Sequence, residues 1–316
     1  MTHFHSLDEV QLQGASVVSI GVYDGVHRGH QRLLRELVKQ AHDLGQRAVV
    51  ISFFPHPDVV LRGVVGRYYL TSPEERAQLL EALGVDVVLT LAFDERLRQM
   101  RAADFVDQLV TRLGMQQLWV GADFALGYQR EGNVAYLSAL GEERGYRVRP
   151  VELVTYSEAG EVISSTSIRE LLLQGRVALA RDWLGRSYSV SGKVVRGDGR
   201  GRMIGFPTAN LEVWEELVIP LNGVYAGWAT VRGQRYAAVT NVGTRPTFDG
   251  VSVRVEPHLL DFDDDIYGET LCVTFEERLR AEQKFSGIDA LRAQLKQDVA
   301  AARAALSAQS SSDEMR

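Results

Sequence analysis

The sequence predicts an α/β half built on a parallel sheet, residues 1–185, followed by a half that forms a mainly antiparallel sheet or small β-barrel, residues 186–306, with a C-terminal helix. Three observations carry this. In the first 185 residues apolar strand-like runs alternate with segments of helical periodicity, the pattern of a parallel sheet covered on both faces. From about residue 186 strand-like runs follow one another without helices, separated by turns rich in Gly, Asn and Asp. A chain of 316 residues, 45 % of them hydrophobic, can fill about two cores of this kind.

Taken in order, "ASVVSIGVY" (15–23) reads as a buried strand. After His30 the positions Leu33, Leu34, Leu37, Val38, Ala41 and Leu44 mark one helical face, and Gly45 stops the helix. "RAVVISF" (47–53) is the next strand. Ser72, Pro73 and Glu75 signal the start of the helix "PEERAQLLEALG" (73–84). The strand "VDVVLTL", the helix "AADFVDQLVTRLG" and the strand "QLWVG" continue the alternation, and the short helices "SIRELLLQG" and "VALARDWLG" close this half. The boundary falls at "LGRSY" (184–188). Beyond it, "YSVSGKVVRG", "GVYAGWATV", "RYAAVTNVG", "SVRVEPHLLDF" and "ETLCVTFEERLR" read as strands. A last helix over about 288–306 carries Leu291, Leu295, Val299 and Leu306 on one side, and the polar tail 307–316 reads as disordered.

Composition removes several classes of function. A net charge of −6 argues against wholesale binding of DNA or RNA, which needs a basic surface. A single cysteine, Cys272, rules out an internal disulfide framework and any multi-cysteine metal site. No apolar run approaches the roughly 18 residues that a membrane helix needs, and "MTHFHSLDEV" is not a signal peptide. The expectation is a cytoplasmic protein, monomeric or weakly homo-oligomeric, that works on small molecules without nucleic acid or membrane.

The chemistry-bearing stretch of the first half is "GVYDGVHRGHQRLL" (21–34). It occupies the loop after the first long strand, and open parallel sheets bind ligands beyond the carboxyl ends of their strands. Gly21 and Gly29 let backbone approach a ligand closely. The following helix offers unpaired N–H groups and a positive dipole end. His27 and His30 add donors to an anion held there, which suits stabilisation of charge on a phosphoryl group in transit without either histidine acting as a nucleophile. A metal pair is the alternative for His-x-x-His, but no third ligand of suitable type is near in sequence.

"HRGH" is the His-x-Gly-His signature of the nucleotidyltransferase superfamily, and "GVYDGVHRGHQ" closely resembles its form in bacterial bifunctional riboflavin kinase/FAD synthetases. Further stretches match that family in order: "FFPHP" (53–57), "VGADFALGYQREGN" (120–133), "ISSTSIRELLLQG" (163–175), "GRGRMIGFPTANL" (199–211), "NVGTRPTF" (241–248) and "VEPHLLDFDDDIYGE" (255–269). The resemblance covers almost the whole chain. It implies a Rossmann-like nucleotidyltransferase domain over 1–185, which transfers AMP from ATP to FMN to give FAD and pyrophosphate. A β-barrel riboflavin kinase domain over 186–306 would phosphorylate riboflavin with ATP to FMN. The flavin is then substrate and product, not a redox cofactor, and Mg²⁺ accompanies ATP.

The same resemblance implies residue roles. His27 and His30 contact ATP phosphates and the developing charge. Asp24 orients a neighbouring histidine or helps hold Mg²⁺, or else makes a plain Asp-Gly turn. Ser164, Ser165 and Thr166 supply hydroxyls just before a helix and Arg169 a fixed cation to phosphate, although Ser167 with Glu170 also fits a simple capping box. His56, between two prolines, positions flavin or nucleotide or only stiffens a turn. Asp123 falls at a position for flavin or nucleotide contact, and Arg130, on the flavin side, reaches phosphate or else merely caps a surface. Tyr23 stands where the family often has Phe, which adds a hydroxyl without removing the ring.

In the second half, Arg200, Arg202 and Gly205 lie in a Gly- and Arg-rich loop that either closes over a phosphate or forms a solvated turn. In "PTAN", Thr208 and Asn210 are implied ligands of Mg²⁺ and ATP phosphate, oxygen donors that suit a hard cation. Phosphorylating riboflavin needs an acceptor for the proton of its attacking hydroxyl, and Glu256 fits the family's catalytic carboxylate. Pro257 after it departs from the family pattern and puts the local geometry in question. The acidic run at Asp261 and Asp263–Asp265 fails the spacing of a calcium loop and reads as a hairpin turn.

Overall fold

The computed structural model describes residues 1–151, 160–197, 200–247 and 250–313, with side chains at all of these except 200, 202, 245–247, 250–252 and 309–313. The chain forms two compact units, Met1–Ser165 and Thr166–Arg316.

In the first unit the elements run β1 (Thr2–Phe4), β2 (Ser16–Ile20), α1 (Arg28–Asp43), β3 (Arg47–Phe54), α2 (Pro57–Arg62), α3 (Pro73–Ala82), β4 (Val87–Ala92), α4 (Glu95–Gln99), α5 (Ala102–Leu113), β5 (Met115–Gly121), β6 (Ala125–Leu126), β7 (Gly132–Asn133), α6 (Val134–Arg144) and β8 (Arg147–Val151). Six of these strands make one sheet in the order β1-β4-β3-β2-β5-β8, and every pairing in it is parallel. Every residue of β2 is buried, which is why its sequence, Val17, Val18 and Ile20 with two small serines, shows no polar–apolar alternation. One core, with Val18, Val49, Val87, Leu109 and Leu118, lies on one side of the sheet, and Leu34, Val50, Leu80 and Val88 form another. Ser72 caps α3 by accepting the Glu75 amide, as its start signal predicts. β1 and β8 are absent from the expectation. β1 is only three residues long, and β8 is a sheet-edge strand whose arginines and proline break the apolar pattern.

Strand order places the site. The chain proceeds from β2 to β3 to β4 in one direction, then crosses back so that β5 lies on the other side of β2. The carboxyl ends of β2 and β5 therefore flank the switch point where open α/β sheets bind ligands. The loop 21–27 follows β2, and the segment carrying Asp123 and Arg130 follows β5.

In the second unit, α7 (Ser165–Leu173) and α8 (Val177–Leu184) precede β9 (Tyr188–Val195), α9 (Arg200–Met203), β10 (Asn210–Val213), β11 (Gly223–Val231), β12 (Gln234–Thr247), β13 (Gly250–Leu259), β14 (Thr270–Phe275), β15 (Glu277–Arg280) and α10 (Ile288–Asp313). The strands pair antiparallel in the order β10-β9-β14-β11-β12-β13, with β15 also on β11. β10 at one end lies against β13 at the other, so the sheet is a nearly closed barrel. Helix α10 packs on β11 and β12 through Val299, Ala302, Ala305 and Leu306.

Three details differ from the sequence expectation. The compact units divide at Ser165/Thr166, ahead of the textural boundary at 185/186, because α8 packs on β9 and β15 and the Leu221 amide donates to the Leu172 carbonyl. The tail expected to be disordered from 307 continues α10 to Asp313, since each further residue adds a backbone bond without a new nucleus; 314–316 lie outside the described residues. The acidic run is not a hairpin turn. β13 and β14, which it joins, are separated in the sheet by β12 and β11, so it is a crossover loop.

Two candidate active sites

The loop after β2 is shaped by backbone that few side chains tolerate: Tyr23, Gly25 and Val26 all have positive φ. Asp24 holds it there. Its carboxylate accepts from the amides of Leu70 and Thr71 and from the Thr71 hydroxyl, while its own carbonyl accepts from the Ser165 hydroxyl. Asp24 is thus an anchor of the loop, 1 % exposed. The Ser19 hydroxyl donates to the Trp119 carbonyl at 2.6 Å, so in its 2.5 Å contact with Tyr23 it accepts the phenolic proton. Burial pushes the Tyr23 hydroxyl up to about 12. Tyr23→Phe removes this one bond and leaves Ser19 paired with Trp119. The expected loss is about 1 kcal/mol of stability with unchanged turnover, read from urea unfolding and steady-state assay.

His27 is the N-cap of α1. Its Nδ1 accepts the His30 amide at 3.4 Å, which places a ring proton on Nε2. The His27 and His30 rings stack with centroids 3.6 Å apart and 22° between planes, and the Tyr23 ring meets His30 edge-on at 5.0 Å. A Cβ at Gly29 would meet the His27 ring at 3.1 Å, and one at Gly21 would meet the Tyr23 ring at 3.0 Å. Both glycines therefore make room for the ring cluster. His30 Nδ1 is enclosed without a partner. Burial, then His27, then Arg76 hold the His30 imidazole well below its usual pKa, so at neutral pH it is an uncharged donor. Two imidazoles, that of His30 uncharged, and the first-turn amides of a sixteen-residue helix converge beyond a parallel strand, an arrangement that attracts phosphate.

The remaining predicted residues of the first half divide. His56 caps α2, its Nδ1 accepting from the Asp58 amide. Arg130 donates through Nη2 to the Asp123 carbonyl at 3.3 Å, and both are exposed. Their loop is tied down by Glu131, which accepts from Arg101 and from the Ala102 amide. Helix α7 starts at Ser165, so Ser164 precedes it and Ser165 and Thr166 lie in its first turn. Ser167 is inside the helix and cannot be its cap. Arg169 is buried, with Nη1 3.5 Å from the Thr166 hydroxyl.

In the second unit β13 alternates strictly. Val255, Pro257 and Leu259 are buried in the barrel, and Arg254, Glu256 and His258 share the other face. Pro257 disturbs nothing: β13 ends the sheet, and its register against β12 is unbroken, with Glu256 opposite Asn241. Arg254 Nη1 lies 3.2 Å from Glu256 Oε1. The PTAN segment is clamped onto this strand. The Ala209 amide donates to the Pro257 carbonyl, and His258 Nδ1 donates to the Pro207 carbonyl at 2.7 Å. Two cavities result. One, of about 300 Å³, contains Glu256, Asn241 and His258, with apolar walls from Phe206, Leu291, Leu295 and Val299. The other, of about 410 Å³, is lined by Pro207, Ala209, Leu259 and the crossover loop Asp263–Tyr267. Gly201 and Thr208 line both, so the Thr208 hydroxyl stands where the contents of the two would meet. Asn210 heads β10 beside a third opening shared with Arg196 and Arg254. Gly205 takes a left-handed turn after α9, with φ +81°. The side chains of Arg200 and Arg202 lie outside the described residues, as do those of 245–248 in "NVGTRPTF".

Sequence reading missed His258, Arg280 and Arg76. Arg280 pairs both ways with buried Asp298 of α10 and so fixes the helix that walls the smaller cavity. Its signal is absent from sequence, because the two residues are joined only by folding. Arg76 had a visible signal: it shares the buried stripe of α3 with Ala77 and Leu80.

A family model described as FAD synthetase matches residues 9–167, and one described as riboflavin kinase matches residues 184–306. Among curated relatives, bifunctional riboflavin kinase/FMN adenylyltransferases of Escherichia coli K12 and Pseudomonas fluorescens are 38 % and 40 % identical, over 95 % and 91 % of this chain and 95 % and 92 % of theirs. The Bacillus subtilis enzyme of the same name is 34 % identical over 94 % of both. A crystal structure described as a macrolide-efflux protein from Streptococcus pneumoniae is 32 % identical and superposes with a TM-score of 0.86 over 95 % of this chain and 98 % of that one. No helix among the described residues is long and apolar enough to cross a membrane.

Proposed function

The chain belongs to the bifunctional riboflavin kinase/FMN adenylyltransferase family, and from that premise we propose how its residues divide the work. It has riboflavin kinase and FMN adenylyltransferase (FAD synthetase) activities, converting riboflavin to FMN and FMN to FAD with ATP. Residues 1–185 carry adenylyl transfer and residues 186–306 carry phosphorylation.

In adenylyl transfer an oxygen of the FMN phosphate attacks the α-phosphorus of ATP and pyrophosphate leaves. The attacking phosphate is already ionised, so no general base is needed. The work is alignment and charge stabilisation. His27 through Nε2–H, His30 and the α1 amides receive the phosphates. Ser164, Ser165, Thr166 and Arg169 add contacts to them, and His56, Asp123 and Arg130 bound the flavin side. The observation that supports this is the stacked histidine pair at the carboxyl end of β2, with His30 held uncharged.

In phosphorylation the riboflavin ribityl hydroxyl attacks the γ-phosphorus of ATP and ADP leaves. Riboflavin occupies the 300 Å³ cavity, whose apolar walls suit a flat ring system. ATP occupies the 410 Å³ cavity. Glu256 accepts the hydroxyl proton as the new P–O bond forms.

Mg²⁺ fits the donors present. No group of three or more His, Cys, Asp or Glu able to hold a metal exists among the described residues, so an all-protein cage is not on offer. A cation that keeps several waters and binds chiefly through substrate phosphate suits the Thr208 hydroxyl and the Asn210 amide oxygen. When bound it neutralises phosphate charge. We further place the protein in the cytoplasm as a monomer or weak homo-oligomer acting on small molecules alone, without nucleic acid or membrane; its net charge of −6 supports this, and light scattering of the purified chain tests the assembly state.

Incubation with riboflavin, ATP and Mg²⁺ followed by chromatography of the flavins tests the whole reading. FMN appearing first and FAD after it is the expected course. Flavin bound but unchanged would overturn it.

A further inference from the structure

Arg76 lies in α3 and is 1 % exposed, yet no carboxylate among the described residues pairs with it directly. Its Nη1 donates to three acceptors: the Val22 carbonyl at 2.9 Å, the Ser52 hydroxyl at 2.7 Å and the Phe53 carbonyl at 3.1 Å. Its Nε and Nη2 are enclosed without partners. The Ser52 hydroxyl in turn donates to the Val22 carbonyl at 2.8 Å. Asp24, Tyr69 and Glu74 act on the guanidinium only through space, and burial dominates the lowering of its pKa. Sealing in a cation with unpaired donors is expensive, and an apolar side chain of similar length would fill the site at lower cost. What the guanidinium does that such a side chain cannot is bind the end of β3 to the residue that opens the β2 loop. Val22 is followed directly by Tyr23, whose ring meets His30, and the same loop ends at His27.

We infer that Arg76 is a positioning residue for adenylyl transfer, fastening Val22 to Ser52 and Phe53 so that the loop presents His27 and His30 in the stacked arrangement. The inference rests on that pair being the adenylyl-transfer site. Because a charge shift accompanies the geometry, it has a signature that packing alone lacks. The groups facing His30 are His27 beside it in the ring stack, Tyr23 from the loop and Arg76 from α3. Arg76 and His27 both disfavour the imidazolium, so removing the Arg76 charge moves the His30 pKa upward.

The test uses full-length Arg76→Met and Arg76→Lys, with riboflavin phosphorylation as the control for an intact second unit. Arg76→Met should lower kcat for FAD formation about 10²-fold, the scale of a 1 Å misplacement of catalytic groups, and raise the His30 pKa followed by NMR of the imidazole. Arg76→Lys should recover part of the rate and the lower pKa. A folded Arg76→Met with FAD formation within about threefold of wild type overturns the inference. So does a rate loss equal in both variants with His30 titrating as in wild type, which marks packing alone. Should Arg76→Met unfold the first unit, Ser52→Ala decides. It removes one of the three acceptors, and the expected result is about a tenfold lower kcat with KM for ATP unchanged; an unchanged kcat overturns the inference. His30→Ala measured in parallel separates the two levels. If it retains FAD formation the site reading itself fails, whereas if it loses FAD formation and Arg76→Met does not, only the role of Arg76 fails.

Discussion

His30→Ala abolishes FAD formation and leaves FMN formation from riboflavin intact. The size of the loss follows from what His30 offers. It is an uncharged donor, kept so by burial, His27 and Arg76, and removing one preorganised donor to developing phosphate charge costs about 10²–10³-fold in kcat. Alanine does more, because the His30 ring is also one half of the 3.6 Å stack that fixes His27. With the stack gone, His27 keeps its cap to the His30 amide but loses its lateral support, so the two donors fail together. Loss of folding is not the cause. His30 Nδ1 has no hydrogen bond to lose, and the alanine keeps the capped backbone amide and a good helix former in the first turn. FMN formation by the second unit reports on the same sample. FAD formation within about tenfold of wild type would remove His30 from the mechanism.

Legibility followed from how local each signal was. The parallel sheet could be read because β2, β3 and β4 are mostly buried on both faces and so carry near-continuous apolar runs. The barrel could be read because β9, β11 and β14 are rich in β-branched residues between turn residues. The anion site could be read because loop, glycines, histidines and helix start are contiguous. What escaped was set by tertiary contact. Asp24 reads as a phosphate or metal contact or a plain turn in "YDG", and its tie to Leu70 and Thr71, nearly fifty residues on, is invisible there. His258 looks incidental in "VEPHLL", yet it holds the Pro207 carbonyl and with it Thr208. Arg76 looks like one more surface charge in "PEERAQ", and only its place on the apolar stripe of α3 marks it.

Glu256→Gln removes riboflavin phosphorylation and leaves FAD formation from supplied FMN unchanged. Glutamine keeps the length of the side chain and an oxygen that Arg254 Nη1, now 3.2 Å from Oε1, can still reach. It also keeps the register of β13 against β12 and the clamp of Pro257 and His258 on the PTAN segment. The one property lost is the ability to take a proton. If the ribityl hydroxyl must give up its proton as it attacks, the rate falls by about 10²–10⁴-fold, the worth of a positioned general base, with KM for riboflavin little altered because the apolar walls that hold the ring are untouched. Glu256→Ala should fall as far in kcat and in addition remove the contact with Arg254, so any difference between the two variants measures the pair rather than the proton. The alternative is that Glu256 only orients the substrate through a hydrogen bond. Glutamine would then keep most of the rate and alanine would lose it, the reverse of the expected order for Glu256→Gln. If either His30→Ala or Glu256→Gln silences both reactions in a folded chain, the two halves do not work independently, because neither residue belongs to the unit that houses the other.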